Sequence, residues 1–215
     1  MQIRIDLKIF LFLLIFFLTK QIEVYILFMI FAIIHELGHL FVGIFLGFKP
    51  KGININPLGI SLCFYINCNE YSKNLKMSRK INLKKLLIAL AGPIINFFIA
   101  LCFIFFDIEI FHYIRGEIIY TNLIIGFFNL IPIYPLDGGR IIKYIIYINK
   151  NLMNAYKYTY IISNTTLIIL TAISSIAILY LKNIAILFIV LYLWIMIIKE
   201  NKIYTKKMQL YKLIN

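Results

Sequence analysis

The sequence predicts an all-α polytopic membrane protein of about six transmembrane helices, with a short N-terminal strand and a β-hairpin at the membrane surface. Composition carries the first part of that prediction: 62% of the 215 residues are hydrophobic, only 14% are charged, and the mean hydropathy is +0.91. Long stretches therefore have nothing to present to water, which excludes a disordered chain and a coiled coil. The placement of charge carries the second part. The 22 basic residues outnumber nine acids, for a formal net charge of +13, and they gather in a few clusters between apolar runs. In a soluble protein that excess would point to nucleic acid; between membrane spans it first sets orientation, and no nucleic-acid partner is expected.

Taken in order, residues 3–9 alternate Ile3, Ile5, Leu7 and Ile9 with Arg4, Asp6 and Lys8, the period of a strand. The apolar run 10–19 imitates a signal peptide but is followed by Thr19-Lys20-Gln21-Ile22-Glu23, with no small-residue cleavage site, and is read as an uncleaved, short span. Further apolar segments follow at 24–48, 86–106, 118–133, 158–181 and 183–198. Between the second and third spans, Ile60, Leu62, Phe64 and Ile66 alternate with Ser61, Cys63 and Tyr65 after a Pro57-Leu58-Gly59 turn, so 53–66 reads as a hairpin. Asn69 to Lys85 reads as a polar, basic connector.

Segment 49–85 holds eight basic residues against Glu70 and is expected in the cytoplasm, whereas the loop with Asp107, Glu109, Arg115 and Glu117 is expected outside. Both termini then fall in the cytoplasm. The three cysteines form no disulfide framework, and Cys63 with Cys68 has neither the spacing nor the second pair of a zinc site.

The chemistry begins in the second span, which carries His35-Glu36-Leu37-Gly38-His39 near its middle. Ionisable groups at that depth cost about 2.5–3.5 kcal/mol each and need a reason. Four residues apart on a helix, His35 and His39 differ by about 40° in azimuth and roughly 6 Å in height, so both rings can reach one metal ion. Glu36 lies on the flank of that face, placed to act as a base without being a ligand. A polar cluster joining helices is the bland alternative.

A hydrolytic zinc takes three protein ligands and an open position. His112 lies in the outer loop, a full span from the motif. Asp137 is the better candidate: it follows Asn129-Leu130-Ile131-Pro132-Ile133-Tyr134-Pro135-Leu136 and precedes Gly138-Gly139-Arg140, an interrupted helix of the kind that lines cavities. An N-cap for the following helix is the other role it could fill. In Ala91-Gly92-Pro93-Ile94-Ile95-Asn96 the Gly-Pro pair is expected to kink or unwind the third span. Asn96 then either hydrogen-bonds between helices or lines a substrate cleft.

These three motifs together resemble the site-2 protease family of intramembrane zinc metalloproteases, and most nearly its stage IV sporulation protein FB group. The resemblance covers roughly residues 1–200. It implies one zinc ion per chain held by His35, His39 and Asp137, with Glu36 as the catalytic base. Asn96 and Asn129 are the candidate substrate contacts. The implied substrate is a membrane-associated proprotein cleaved near the cytoplasmic face, in the sporulation case a sigma-factor precursor. Lipid bilayer and membrane-protein regulators are the other expected partners, and a bacterial cell membrane, the forespore-surrounding one if the sporulation role holds, is the expected location. Residues 201–215 read as a short basic cytoplasmic tail, so neither a CBS domain nor a PDZ insertion is expected. A multi-span metal transporter and a catalytically silent scaffold are the alternatives.

Overall fold

The structure is a computed structural model that describes residues 2–5, 17, 22–56, 59–64, 75–106, 114–181 and 185–214. The chain divides into two units, Met1–Asn129 and Leu130–Asn215.

In the first unit, β1 (Gln2–Ile5) leads to α1 (Ile22–Phe45), β2 (Pro50–Asn56), β3 (Gly59–Phe64), α2 (Leu75–Phe105) and α3 (Arg115–Leu130). Helix α1 is apolar apart from Glu23 and the His35–His39 motif; Glu23 lies in its first turn, where the helix dipole favours an acid, and the helix is followed by a turn at Gly47. Gly47 has φ +88°, a left-handed backbone that favours glycine, and it lets Phe48 N–H donate to Gly43 O and Gly47 N–H to Ile44 O, both at 2.9 Å. Lys84 on α2 donates to Leu46 O at 2.9 Å and satisfies another terminal carbonyl.

The strands form one sheet in the order β1-β2-β3. β1 runs parallel to β2, with Ile3 opposite Ile53, and β2 runs antiparallel to β3, with Ile53 opposite Leu62. The Phe64 ring seats where a side chain at Gly43 would be, and it meets Phe48 edge-on with centroids 6.1 Å apart. The sheet is thereby attached to the C-terminal end of α1. Residues 6–9 of the expected first strand, the turn at 57–58 and nearly all of the first apolar run lie outside the described residues.

Helix α2 corrects two expectations. The basic stretch Leu75 to Lys85 is helix, not connector, because Lys and Arg are good helix formers and need only extend an existing apolar helix. The helix also runs on through Pro93 rather than unwinding there, although the proline withholds the amide that Ala89 O would accept. At its end Arg115 donates to Phe103 O at 2.7 Å and Ile104 O at 2.9 Å. Helices α1, α2 and α3 share a core in which Phe31, Ile118 and Ile125 pack with Ile99 and Phe103. Gly126 leaves room for the Phe97 ring, which also meets Phe127 edge-on at 5.0 Å.

The second unit holds α4 (Asp137–Asn149), α5 (Leu152–Leu181) and α6 (Ala185–Ile214). Asn151 caps α5, its Oδ1 accepting from Asn154 N–H at 2.7 Å. Asn164 and Asn201 exchange amide hydrogen bonds of 3.4 and 3.0 Å between α5 and α6, beside a stacked Tyr160–Tyr204 pair. The basic residues from 201 to 214 lie within α6 as helix.

Among the described residues, Ile22–Phe45, Arg79–Phe105 and Leu152–Tyr180 are long and apolar enough to cross a bilayer. Helix α3, at 16 residues, falls short of the roughly 20 that a span needs. Six spans thus remain an expectation. Phe41, Phe45, Phe98, Phe105 and Leu179 stand exposed while His35, His39, Asn96 and Asn122 are buried. This inversion of the water-soluble pattern is what an integral membrane protein shows, since apolar side chains face lipid and polar ones must find partners inside.

Candidate metal centre

The site is built on the packing of α1 against α2. Gly38, inside the His-Glu-Leu-Gly-His motif, lets the helices approach closely: a Cβ there would stand 3.2 Å from Ala91 O and would strike the Ile95 side chain. At this crossing both motif histidines turn inward, each with about 3% of its surface exposed. Glu36 between them is half-buried.

Each imidazole is held at its Nδ1 atom. His35 Nδ1 lies 2.6 Å from Asn96 Oδ1, and His39 Nδ1 lies 2.6 Å from the carbonyl oxygen of Ile88. A carbonyl oxygen only accepts, so Nδ1 carries the proton in both rings and Nε2 presents the lone pair. The two Nε2 atoms face one another at 3.2 Å, with the rings perpendicular. Two nitrogens bound tetrahedrally at about 2.0–2.1 Å would stand roughly 3.3 Å apart, so the observed separation fits a shared zinc ion.

Gly92 completes the fit. A Cβ built on it would lie 2.5 Å from His35 Nε2 and 2.5 Å from His39 Nε2, so the missing side chain is what keeps the space before both nitrogens open. The Gly-Pro pair read from sequence as a helix break therefore acts through the absent Cβ.

Asn96 is fully buried, and its Nδ2 donates to Asn122 Oδ1 at 2.9 Å while its Oδ1 faces His35. Of the two roles left open for it, these distances describe the hydrogen bond between helices. Asn122 escaped the sequence reading altogether, although an amide inside an apolar helix carries the same signal that singled out Asn96. Asn129 is half-buried, and its Nδ2 donates to Ile125 O in its own helix at 3.0 Å.

In the second unit, Asp137 is buried at the first position of α4. The residue flanking the helix is Leu136, so Asp137 is not the N-cap; it lies one residue further in, where the helix dipole favours a carboxylate. Arg140 Nη1 stands 3.5 Å from its Oδ1. The preceding loop turns sharply through a cis Tyr134–Pro135 bond, with Leu136 N–H donating to Ile133 O at 2.8 Å. Tyr134 N–H donates to Ser163 Oγ at 2.9 Å, which ties the loop to α5. Gly138 and Gly139 explain themselves here: a Cβ on either would run into the backbone of Leu130 and Ile131 or of Ile133 and Tyr134. The folded loop thus requires both glycines beside the aspartate. Among the described residues, His35, His39 and Asp137 are each buried and are of donor types that could hold a metal ion.

Comparison with known proteins agrees with this chemistry. Residues 108–173, which include Asn129 and Asp137, match the model of peptidase family M50. A zinc metalloprotease of Methanocaldococcus jannaschii is 35% identical over 131 residues, 57% of this chain and 34% of that one. Stage IV sporulation protein FB of Bacillus subtilis is 25% identical over 127 residues, 58% of this chain and 41% of that one. The chain thus spans well under half the length of these curated relatives. The solved site-2 protease from Methanocaldococcus jannaschii superposes with a TM-score of 0.67 at 26% identity, covering 92% of this chain and 89% of that one. In sequence over part of its length, and in fold over most of it, this chain is similar to a solved site-2 protease.

Proposed function

We propose that this chain is a zinc-dependent endopeptidase embedded in the membrane, with one zinc ion per chain held by His35, His39 and Asp137. The observation that carries the reading is the pair of buried imidazoles whose Nε2 atoms face each other at 3.2 Å before the gap left by Gly92. Zinc bound there would polarise the scissile carbonyl and acidify a water molecule. Glu36, one residue from a ligand yet only half-buried, serves as the base that takes the water's proton and passes it to the leaving amine. Asp137 would add an anionic donor that offsets the ion's charge, and it lies in the first turn of α4, where the helix dipole favours a carboxylate.

A helical substrate hides its carbonyls and must be extended before cleavage. Strand β3 lies at an edge of the sheet, with β2 on its inner side, and an edge strand can hold an extended chain through main-chain hydrogen bonds. Asn129, near the end of α3 and just before the segment that leads in sequence to Asp137, is the proposed polar contact to the substrate backbone. The substrate class is a membrane-associated proprotein cut near the cytoplasmic face, and a sigma-factor precursor is the specific case to test. The basic clusters support cytoplasmic termini, the sheet lying at that surface.

The test is cleavage of a tagged membrane substrate by protein reconstituted in vesicles. Replacing Glu36 with Gln is expected to lower the rate by at least about a hundredfold while zinc content stays unchanged. Cleavage by the variant at the wild-type rate would sink the assignment of the base, and intact substrate with the wild type would favour a silent scaffold.

A further inference from the structure

We infer that Asn122 is a positioning residue for the metal centre, setting the tautomer of His35 through Asn96 although it touches neither the ligand face nor any reacting atom. The inference rests on the zinc reading above and adds a residue to it.

The argument is one of hydrogen-bond direction. Asn122 Nδ2 lies 2.9 Å from Ile118 O, a backbone oxygen that can only accept. That contact settles which way the Asn122 amide points, since the reversed amide would set two oxygens against each other. Its Oδ1 must then face Asn96, at 2.9 Å, and Asn96 must donate through Nδ2. Asn96 in turn has only its Oδ1 to offer His35 Nδ1, 2.6 Å away, so that ring nitrogen must donate. Every group from Ile118 O to the imidazole has one permitted orientation, and the last of them leaves the Nε2 lone pair toward the metal position. His39 reaches the same result in one step, from Ile88 O.

The chain of amides is shielded from bulk solvent: Asn96 and Asn122 are both fully buried, so bulk water does not compete for their hydrogen bonds. Ligating histidines are commonly oriented in this way by a hydrogen bond at the other ring nitrogen, and losing such a partner costs about 10–100-fold in metal affinity. Here the orienting information originates on α3, two amides away from the ring, and so a third helix helps decide the chemistry of α1.

Zinc affinity of the purified protein, by competition with a chromophoric chelator, reads this directly without any substrate. Asn122→Leu is expected to weaken zinc binding by about 10–100-fold. Asn122→Asp is expected to restore it, because a protonated carboxyl keeps an O–H donor toward Ile118 O and an acceptor toward Asn96. Nitrogen-15 NMR of histidine-labelled apoprotein should show His35 as the Nδ1–H tautomer in wild type and Asn122→Asp, and a mixture in Asn122→Leu. Ile125→Ala, in the same helix and the same core, loosens packing without touching the amides and should leave both readouts at wild-type values. If the leucine is too bulky to fold, Asn122→Ala removes the same groups without adding volume. The inference is overturned if both apolar variants bind zinc like the wild type, or if Ile125→Ala weakens binding as much. A wild type that takes up no zinc would overturn the metal reading and this inference with it, and would be recognised because every variant behaves alike.

Discussion

Replacing Gly92 with alanine adds one methyl group to a fully helical position, and two effects then oppose each other. As a helix former alanine exceeds glycine by about 1 kcal/mol, so α2 itself should gain. The methyl carbon, however, would sit 2.5 Å from each Nε2 atom, about 1 Å inside the 3.5–4.0 Å at which such atoms rest comfortably. Relief requires either that the rings swing away, which breaks the 2.6 Å hydrogen bonds at Nδ1, or that α1 and α2 part at Gly38. In both cases the lone pairs no longer converge, and the position where a metal would lie is filled. A loss of at least about a hundredfold in zinc affinity is expected, equivalent to about 2.8 kcal/mol. Chelator competition measures the affinity, and thermal unfolding of the metal-free protein in detergent checks that the helices survive. The distinguishing result is lost zinc binding in a protein no less stable without metal. Wild-type zinc affinity in Gly92→Ala would refute the reasoning, since it would mean that the space before the two nitrogens is not where the ion binds.

Asp137→Asn keeps the shape of the side chain but removes its charge, and should lower zinc affinity more than about tenfold, or 1.4 kcal/mol; equal affinity would remove Asp137 from the donor set. Gly139→Ala should destabilise the protein by about 1–3 kcal/mol, because its Cβ would meet the backbone of Ile133 and Tyr134, and a thermal shift within error would contradict that packing. Gly47→Ala forces a side chain into a left-handed backbone at a cost of about 1–2 kcal/mol, yet should leave zinc affinity untouched, so a change in binding would show that the end of α1 matters to the site.

Legibility in the sequence followed the range of the interaction. Helix α1 and the sharing of one face by His35 and His39 needed only the helical repeat, a local property, and the low tolerance of apolar segments for charge. The alternation read at residues 3–9 and 60–66, where the described strands are Gln2–Ile5 and Gly59–Phe64, is equally local. The basic stretch before the third span misled because its charges said water, whereas its place was decided by the helix it extends. Of the kink or unwinding expected at Gly92-Pro93, unwinding does not occur: α2 runs on through the proline.

By itself, then, the sequence determined a membrane-embedded chain, the pairing of two histidines on one helical face, and an aspartate set in a glycine-flanked helix start. Tertiary structure alone decided which atoms would hold those histidines. The contacts of His35 with Asn96 and of Asn96 with Asn122 join residues 61 and 26 positions apart, and no local pattern encodes which amide meets which ring. The same holds for Gly92, whose worth lies in the atom it lacks and in the two nitrogens that another helix places before it. Periodicity is a property of one helix, whereas the direction of a hydrogen-bond chain and the space for an ion belong to the packing of three.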